Sequence, residues 1–170
     1  LVIEHGGVSL REHLEKGLYS VDGAITLCQG LAEALDYLRE EGLAHRDLHP
    51  GNILIGPEGQ PRITDFGIAR RVTGAVGKTQ ATSFVNGHYP RFAAPEVVSG
   101  NAKRSSDQYS LALVFLTCIC GLDAALDCID EDDLTTALSE RQVAAFKRAR
   151  SESSARRFPT CCAFVEALGG

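Results

Sequence analysis

Hydrophobic positions along the chain fall into short blocks whose spacing changes from one block to the next. Leu1-Val2-Ile3-Glu4 is an apolar run of strand type, stopped by Gly6-Gly7. Ser9 stands as an N-cap with Glu12 three residues on, which predicts a short helix over Leu10 to Lys16 with a capping box. Ile25, Leu27, Leu31, Ala34, Leu35 and Leu38 recur near helical spacing, so a longer helix opens at Ser20 or Asp22 and stops at Gly42. A polar loop, His45 to Asn52, follows. Ile53-Leu54-Ile55 and Arg62-Ile63-Thr64 then predict two short strands around the turn residues Gly56-Pro57-Glu58-Gly59.

The second half changes character. From Asp65 to Glu96 the chain is rich in Gly, Thr, Ser and Arg and has no sustained period. A loop this long inside a compact domain is usually functional. Ser106-Asp107 opens an apolar helix that includes Leu111 to Cys120. The apolar stretch Leu111 to Leu122 is far shorter than the ~20 residues a bilayer requires, so it reads as a buried helix. Asp123 to Asp133 is acidic and reads as a solvated surface. Gln142 to Arg150 and Cys161 to Leu168 predict two closing helices, with Phe158-Pro159 between them. The class that results is mainly α with a small β element, an α+β fold, in one domain over residues 1–170.

Composition narrows the function. A chain of 170 residues with 44% hydrophobic and 23% charged positions is globular rather than disordered. A net charge of -5 gives no bulk attraction to nucleic acid or to anionic membranes. The six cysteines (Cys28, Cys118, Cys120, Cys128, Cys161 and Cys162) form no zinc-type spacing. They read as reduced, mostly buried thiols of a cytoplasmic protein. The vicinal pair Cys161-Cys162 is a weaker, redox-active candidate. No segment has the form of a signal peptide.

The chemistry gathers in His45-Arg46-Asp47-Leu48-His49-Pro50-Gly51-Asn52, followed thirteen positions after Asn52 by Asp65-Phe66-Gly67 and later by Ala94-Pro95-Glu96. With these residues in this order, the chain resembles the catalytic half of a eukaryotic-type protein kinase, of the bacterial serine/threonine kind. The residues support that reading on physical grounds. The hairpin after Asn52 returns the chain so that Asn52 and Asp65 flank its open end. One amide and one carboxylate suit Mg²⁺, which keeps waters and takes its other ligands from phosphates. Asp47, across the loop, is placed to accept the proton of an attacking hydroxyl.

The resemblance implies ATP and Mg²⁺ as cofactors and a protein as substrate. It implies Asp47, Arg46, His49 and Asn52 as catalytic residues, and Asn52 and Asp65 as metal ligands. Glu4 and Gly6 fall at the hinge, with Leu54 beneath the adenine ring. His45 and Phe66 resemble a stacked pair of the regulatory spine, and Arg46 the arginine that receives an activation-loop phosphate. Asp107 resembles the aspartate that caps catalytic-loop amides, and Glu96 with Arg157 a buried ion pair. Thr79, Thr82 and Ser83 are candidate phosphosites; Thr73 is a further hydroxyl, and Arg70, Arg71 and Lys78 are the nearby cations.

The pattern also departs from the family. His49 stands where a lysine usually steadies the γ-phosphate, and His88-Tyr89-Pro90 replaces the usual Gly-Thr before proline. No Gly-rich loop, strand lysine or partner glutamate occurs in the 170 residues. The expectation is therefore a hinge plus C-terminal lobe whose N-terminal lobe lies upstream in the same full-length chain. Two other readings stay open. One is a pseudokinase or scaffold. The other is a small-molecule phosphotransferase of kinase-like fold, such as an aminoglycoside kinase, for which His49-Pro50-Gly51-Asn52 is typical.

Overall fold

The computed structural model describes residues 7–66, 70–71, 90–123 and 131–170. Its first element depends on a glycine. Gly7 has φ 114°, and a Cβ there would fall 1.9 Å from the Ile55 carbonyl oxygen. Only glycine lets the backbone pass so close, and strand β1 (Val8–Ser9) starts directly after it. Helix α1 (Leu10–Leu14) follows with the capping box expected from the sequence. Ser9 Oγ accepts from the Glu12 amide at 3.2 Å, and Glu12 Oε2 accepts from the Ser9 amide at 3.1 Å.

Helix α2 (Val21–Glu40) is capped by Ser20, whose hydroxyl oxygen accepts from the Gly23 amide at 3.2 Å. It ends where Gly42 takes φ 73°, the left-handed conformation that closes many helices. Ala24, Leu27, Cys28, Leu31, Ala32 and Leu35 form its buried face. After strand β2 (Leu43–Ala44) and a 3₁₀ turn over Pro50–Asn52, strands β3 (Ile53–Ile55) and β4 (Pro61–Ile63) make a hairpin. β1 adds to β3 antiparallel, Val8 opposite Ile55, giving the order β1-β3-β4. Strand β5 (Arg70–Arg71) pairs antiparallel with β2 in a second small sheet.

Helix α3 (Pro95–Val98) leads to α4 (Ser106–Cys120), the axis of the domain. Twelve of the fifteen residues of α4 are buried, so it is covered on all sides rather than along one stripe. Helices α5 (Glu131–Ala137), α6 (Glu140–Ala149) and α7 (Cys161–Gly169) complete the described chain. α2 packs against both α4 and α7, and α6 against α7. Phe92, Phe115, Phe146 and Phe164 are among the largest fully buried side chains of this core. No described helix is long and apolar enough to cross a membrane.

The acidic segment Asp123 to Asp133, expected to be a solvated surface, falls largely outside the described residues, at 124–130, and its last three positions open α5. The strands β1, β2 and β5 were not anticipated, since two-residue strands carry no readable alternation. The vicinal cysteines serve packing. Both carboxylate oxygens of buried Asp36 accept amides, from Cys161 and Cys162 at 2.9 Å each, which fixes the start of α7 to α2. Burial first, and then a hydrogen bond with Asp36, push the Cys162 thiol up to about 12. Burial raises Cys161 as well, and all five described cysteines are free thiols.

A second polar tie joins α3 to the segment before α7. Arg157, with its side chain fully buried, donates Nη1 to Glu96 Oε1 at 2.6 Å and Nη2 to Oε2 at 2.9 Å. Its remaining donors reach the carbonyls of Ser105 at 3.0 Å and Ser151 at 2.9 Å, and the Ser106 hydroxyl donates to Glu96 Oε1 at 2.8 Å. Burial pushes the Glu96 carboxyl up. The bonds from Arg157 and Ser106 outweigh it, so the group sits below its ordinary 4.5. The unfolded chain then takes up the proton first. The stabilisation is complete above pH 4.5 and is lost as the pH falls through the lower folded value. Arg157→Met should cost roughly 3 kcal/mol in denaturant unfolding, because a carboxylate is left without its cation. Glu96→Gln should flatten the acid limb of the stability–pH curve; an unchanged limb would show that the pair contributes nothing there.

Candidate active site

The β3–β4 hairpin sets the position of Asn52 and Asp65, the two oxygen donors expected to face a metal ion. Ile53 pairs with Ile63, and just beyond them the Thr64 amide and hydroxyl both donate to the Asn52 carbonyl, at 2.9 and 3.2 Å. The open end of the hairpin therefore holds Asn52 on one side and Asp65 immediately after Thr64 on the other. Asn52 is buried and Asp65 is exposed.

The loop before β3 folds back on the same asparagine. Asn52 Nδ2 donates to the Asp47 carbonyl at 2.9 Å and to Asp47 Oδ2 at 3.2 Å. One side-chain amide thus fixes both the backbone and the carboxylate of Asp47, whose side chain remains 30% exposed and open to solvent. The amide group's oxygen accepts no hydrogen bond among the described residues, which leaves it a hard oxygen donor at the end of the hairpin that leads to Asp65. No group of three or more His, Cys, Asp or Glu is arranged as a metal cluster among the described residues. The oxygen pair fits Mg²⁺ better than a transition metal, because Mg²⁺ needs only one or two protein ligands when phosphates and waters supply the rest.

The two histidines of the loop have defined tautomers. His49 caps the 3₁₀ turn: its Nδ1 accepts from the Gly51 amide at 3.1 Å, so the neutral ring carries its proton on Nε2. That nitrogen lies 3.9 Å from Asp47 Oδ1. His45 is fully buried. Its Nε2 faces the Thr64 carbonyl at 3.0 Å, which can only accept, and its Nδ1 accepts from the Asp47 amide at 3.4 Å. The ring of His45 meets Phe66 edge-on, with centroids 5.2 Å apart at 75°, instead of stacking face to face. Phe66 is 49% exposed.

The loop is strained. Arg46 has φ 70° and Asp65 φ 59°, the left-handed region that costs a non-glycine residue roughly 1 kcal/mol or more. Asp107, buried in the first turn of α4, offsets that cost. Its Oδ2 accepts the His45 amide and its Oδ1 the Arg46 amide, both at 2.7 Å. Burial pushes the Asp107 carboxyl above its ordinary range, against the downward pull of those two amides.

Leu54 is half-buried in β3, between Ser9 and Arg62 on the neighbouring strands. Asp47, Asn52, Asp65, His45, His49 and Phe66 thus come together at one end of the hairpin. Glu96 and Arg157 form a separate structural pair. Glu4, Gly6, Tyr89, Thr79, Thr82 and Ser83 lie outside the described residues. Sequence reasoning missed Thr64, which bonds both His45 and Asn52; its place directly before Asp65 was the available signal. Asp107→Asn should free one of the two loop amides and weaken the hold on the other, since the side-chain amide keeps a single, uncharged acceptor oxygen. Native-state hydrogen exchange at His45 and Arg46 should rise about tenfold or more, the effect of losing ~1.4 kcal/mol of protection. Unchanged protection would mean that the strain is held elsewhere.

The comparisons agree with this geometry. The family model described as the protein kinase domain matches residues 1–165. Serine/threonine-protein kinase PknK of Mycobacterium tuberculosis is 38% identical over 122 residues, covering 71% of this chain and 10% of that protein. Mitogen-activated protein kinase kinase 1 of Arabidopsis thaliana is 38% identical over 118 residues, covering 68% of this chain and 32% of that protein. The kinase domain of Mycobacterium tuberculosis PknI, crystallised as a double mutant, superposes with a TM-score of 0.71 at 24% identity, covering 96% of this chain and 61% of that one. The chain spans a third or less of the length of these two curated relatives. With the motif order, the hairpin-end constellation and the matching family model in agreement, the chain belongs to the protein kinase domain family.

Proposed function

We propose that the chain carries the catalytic loop and metal-binding side of a serine/threonine protein kinase that transfers the γ-phosphoryl group of ATP to a protein hydroxyl. The observation that supports this most is the double hold of Asn52 on Asp47, at 2.9 and 3.2 Å, beside the strained Asp65. A structural turn asparagine has no need to orient a carboxylate toward solvent.

In this reading Asp47 accepts the proton of the substrate hydroxyl and aligns its oxygen for attack. Asn52 and Asp65 would hold Mg²⁺, which supplies charge neutralisation on the transferred phosphoryl group. His49 Nε2–H, on the open side of Asp47, donates to a γ-phosphate oxygen. By the family resemblance, Leu54 would lie under the adenine ring, with Glu4 and Gly6 assigned to the hinge. Phosphorylation at Thr79, Thr82 or Ser83 would add a dianion for which Arg46 is the proposed partner. A Gly-rich loop and phosphate-binding lysine, absent from these 170 residues, would come from an upstream lobe of the full-length protein. A cytoplasmic setting suits the free thiols.

In the full-length protein, Asp47→Asn should lower kcat by ~10²–10⁴ while leaving the unfolding midpoint in place, because the amide keeps the shape and loses the base. Asp65→Ala should raise the Mg²⁺ concentration needed for half-maximal rate. Normal turnover in Asp47→Asn would sink the mechanism. His49→Lys should retain or raise activity, since it sets a fixed charge where the neutral ring offers one N–H donor, and His49→Ala should lower it. Wild-type turnover in His49→Ala would remove His49 from the phosphate.

A further inference from the structure

Away from the hairpin end, a cleft of about 360 Å³ opens between the end of α2, the start of α4 and the segment that precedes α7. Four of its nine lining residues are cations, Arg39, Lys103, Arg104 and Arg157, and none is acidic. In a chain with net charge -5 this is a local reversal of sign. Two of the cations already face a carboxylate behind the wall: Arg157 on Glu96, and Arg39 Nε at 3.4 Å from Asp36 Oδ1 in an ion pair whose angle does not make a hydrogen bond. Lys103 and Arg104 are exposed on the rim, and neither forms an ion pair among the described residues. Arg148 extends the positive field, with its guanidinium 4.0 Å over the Phe158 ring.

The rest of the lining is of a different kind. Ser105 and Ser154 supply hydroxyls, and Ala155, Phe158 and Pro159 supply an apolar wall. A bare inorganic anion has no use for such a wall. A phosphorylated side chain followed by apolar residues fits both parts, with the dianion at Lys103 and Arg104 and the neighbouring side chains against Phe158 and Pro159. We propose that this cleft is a docking site for phosphoserine- or phosphothreonine-bearing peptide segments, distinct from the phosphoryl-transfer site.

The test uses the full-length protein and a labelled phosphothreonine peptide with apolar flanking residues, read by fluorescence anisotropy. Binding should be about tenfold or more tighter than for the unphosphorylated peptide and should weaken as salt rises. Lys103→Glu/Arg104→Glu should abolish it and Lys103→Ala/Arg104→Ala should weaken it, with thermal unfolding confirming that both exposed pairs leave the fold intact. Asp47→Asn should bind the peptide like wild type, which separates this cleft from the active site. Equal binding of both peptides would overturn the proposal, as would wild-type affinity in the charge-reversed variant. Displacement by inorganic phosphate at concentrations equal to the peptide would also overturn it, since the apolar wall would then contribute nothing.

Discussion

Two backbone amides converge on one buried carboxylate, and the loop from His45 to Asn52 depends on that contact. Asp107 sits in the first turn of a helix that is covered on all sides, so its position is set by the core itself. It accepts from His45 and Arg46 at 2.7 Å each and so holds Arg46 in a left-handed conformation. With Arg46 turned this way, the chain doubles back. The Asp47 amide then reaches His45, and Asn52 can grip Asp47 from the far side of the loop. Core packing is thereby converted into the placement of one exposed carboxylate.

The polar network around it is chained rather than clustered. His45 bonds Thr64, Thr64 bonds Asn52, and Asn52 bonds Asp47. Each link uses a donor or acceptor that burial would otherwise leave unsatisfied, so loosening one member exposes the next. His49 is attached differently. It caps a short turn through Nδ1 and keeps its other nitrogen toward Asp47, so the cap on the Gly51 amide holds only while Nδ1 carries no proton.

How much of this was legible in the sequence follows from the range of the signal. The capping box at Ser9, the N-cap at Ser20 and the helix period of Ile25 to Leu38 are local, and those helices formed where the pattern put them. The motif order located the loop and hairpin with correct pairing, although the second strand runs one residue earlier, at Pro61–Ile63. Helix α5 went unread, because two leucines four residues apart, Leu134 and Leu138, set no period on their own. Asp36 could not be read at all. Its partners lie 125 and 126 residues downstream, and no spacing rule spans that distance.

That same separation bears on how the chain is made. Synthesis runs from the first residue, so α2 leaves the ribosome long before its partner α7 exists. Until Cys161 and Cys162 emerge, the Asp36 carboxylate and the apolar face of α2 beside it lack the surface that will cover them. The loop of His45 to Asn52 is attached directly downstream of that unfinished helix, and its anchor Asp107 comes sixty-two residues after His45. The nascent chain must therefore wait, exposed to chaperones and to its neighbours, until α7 is translated.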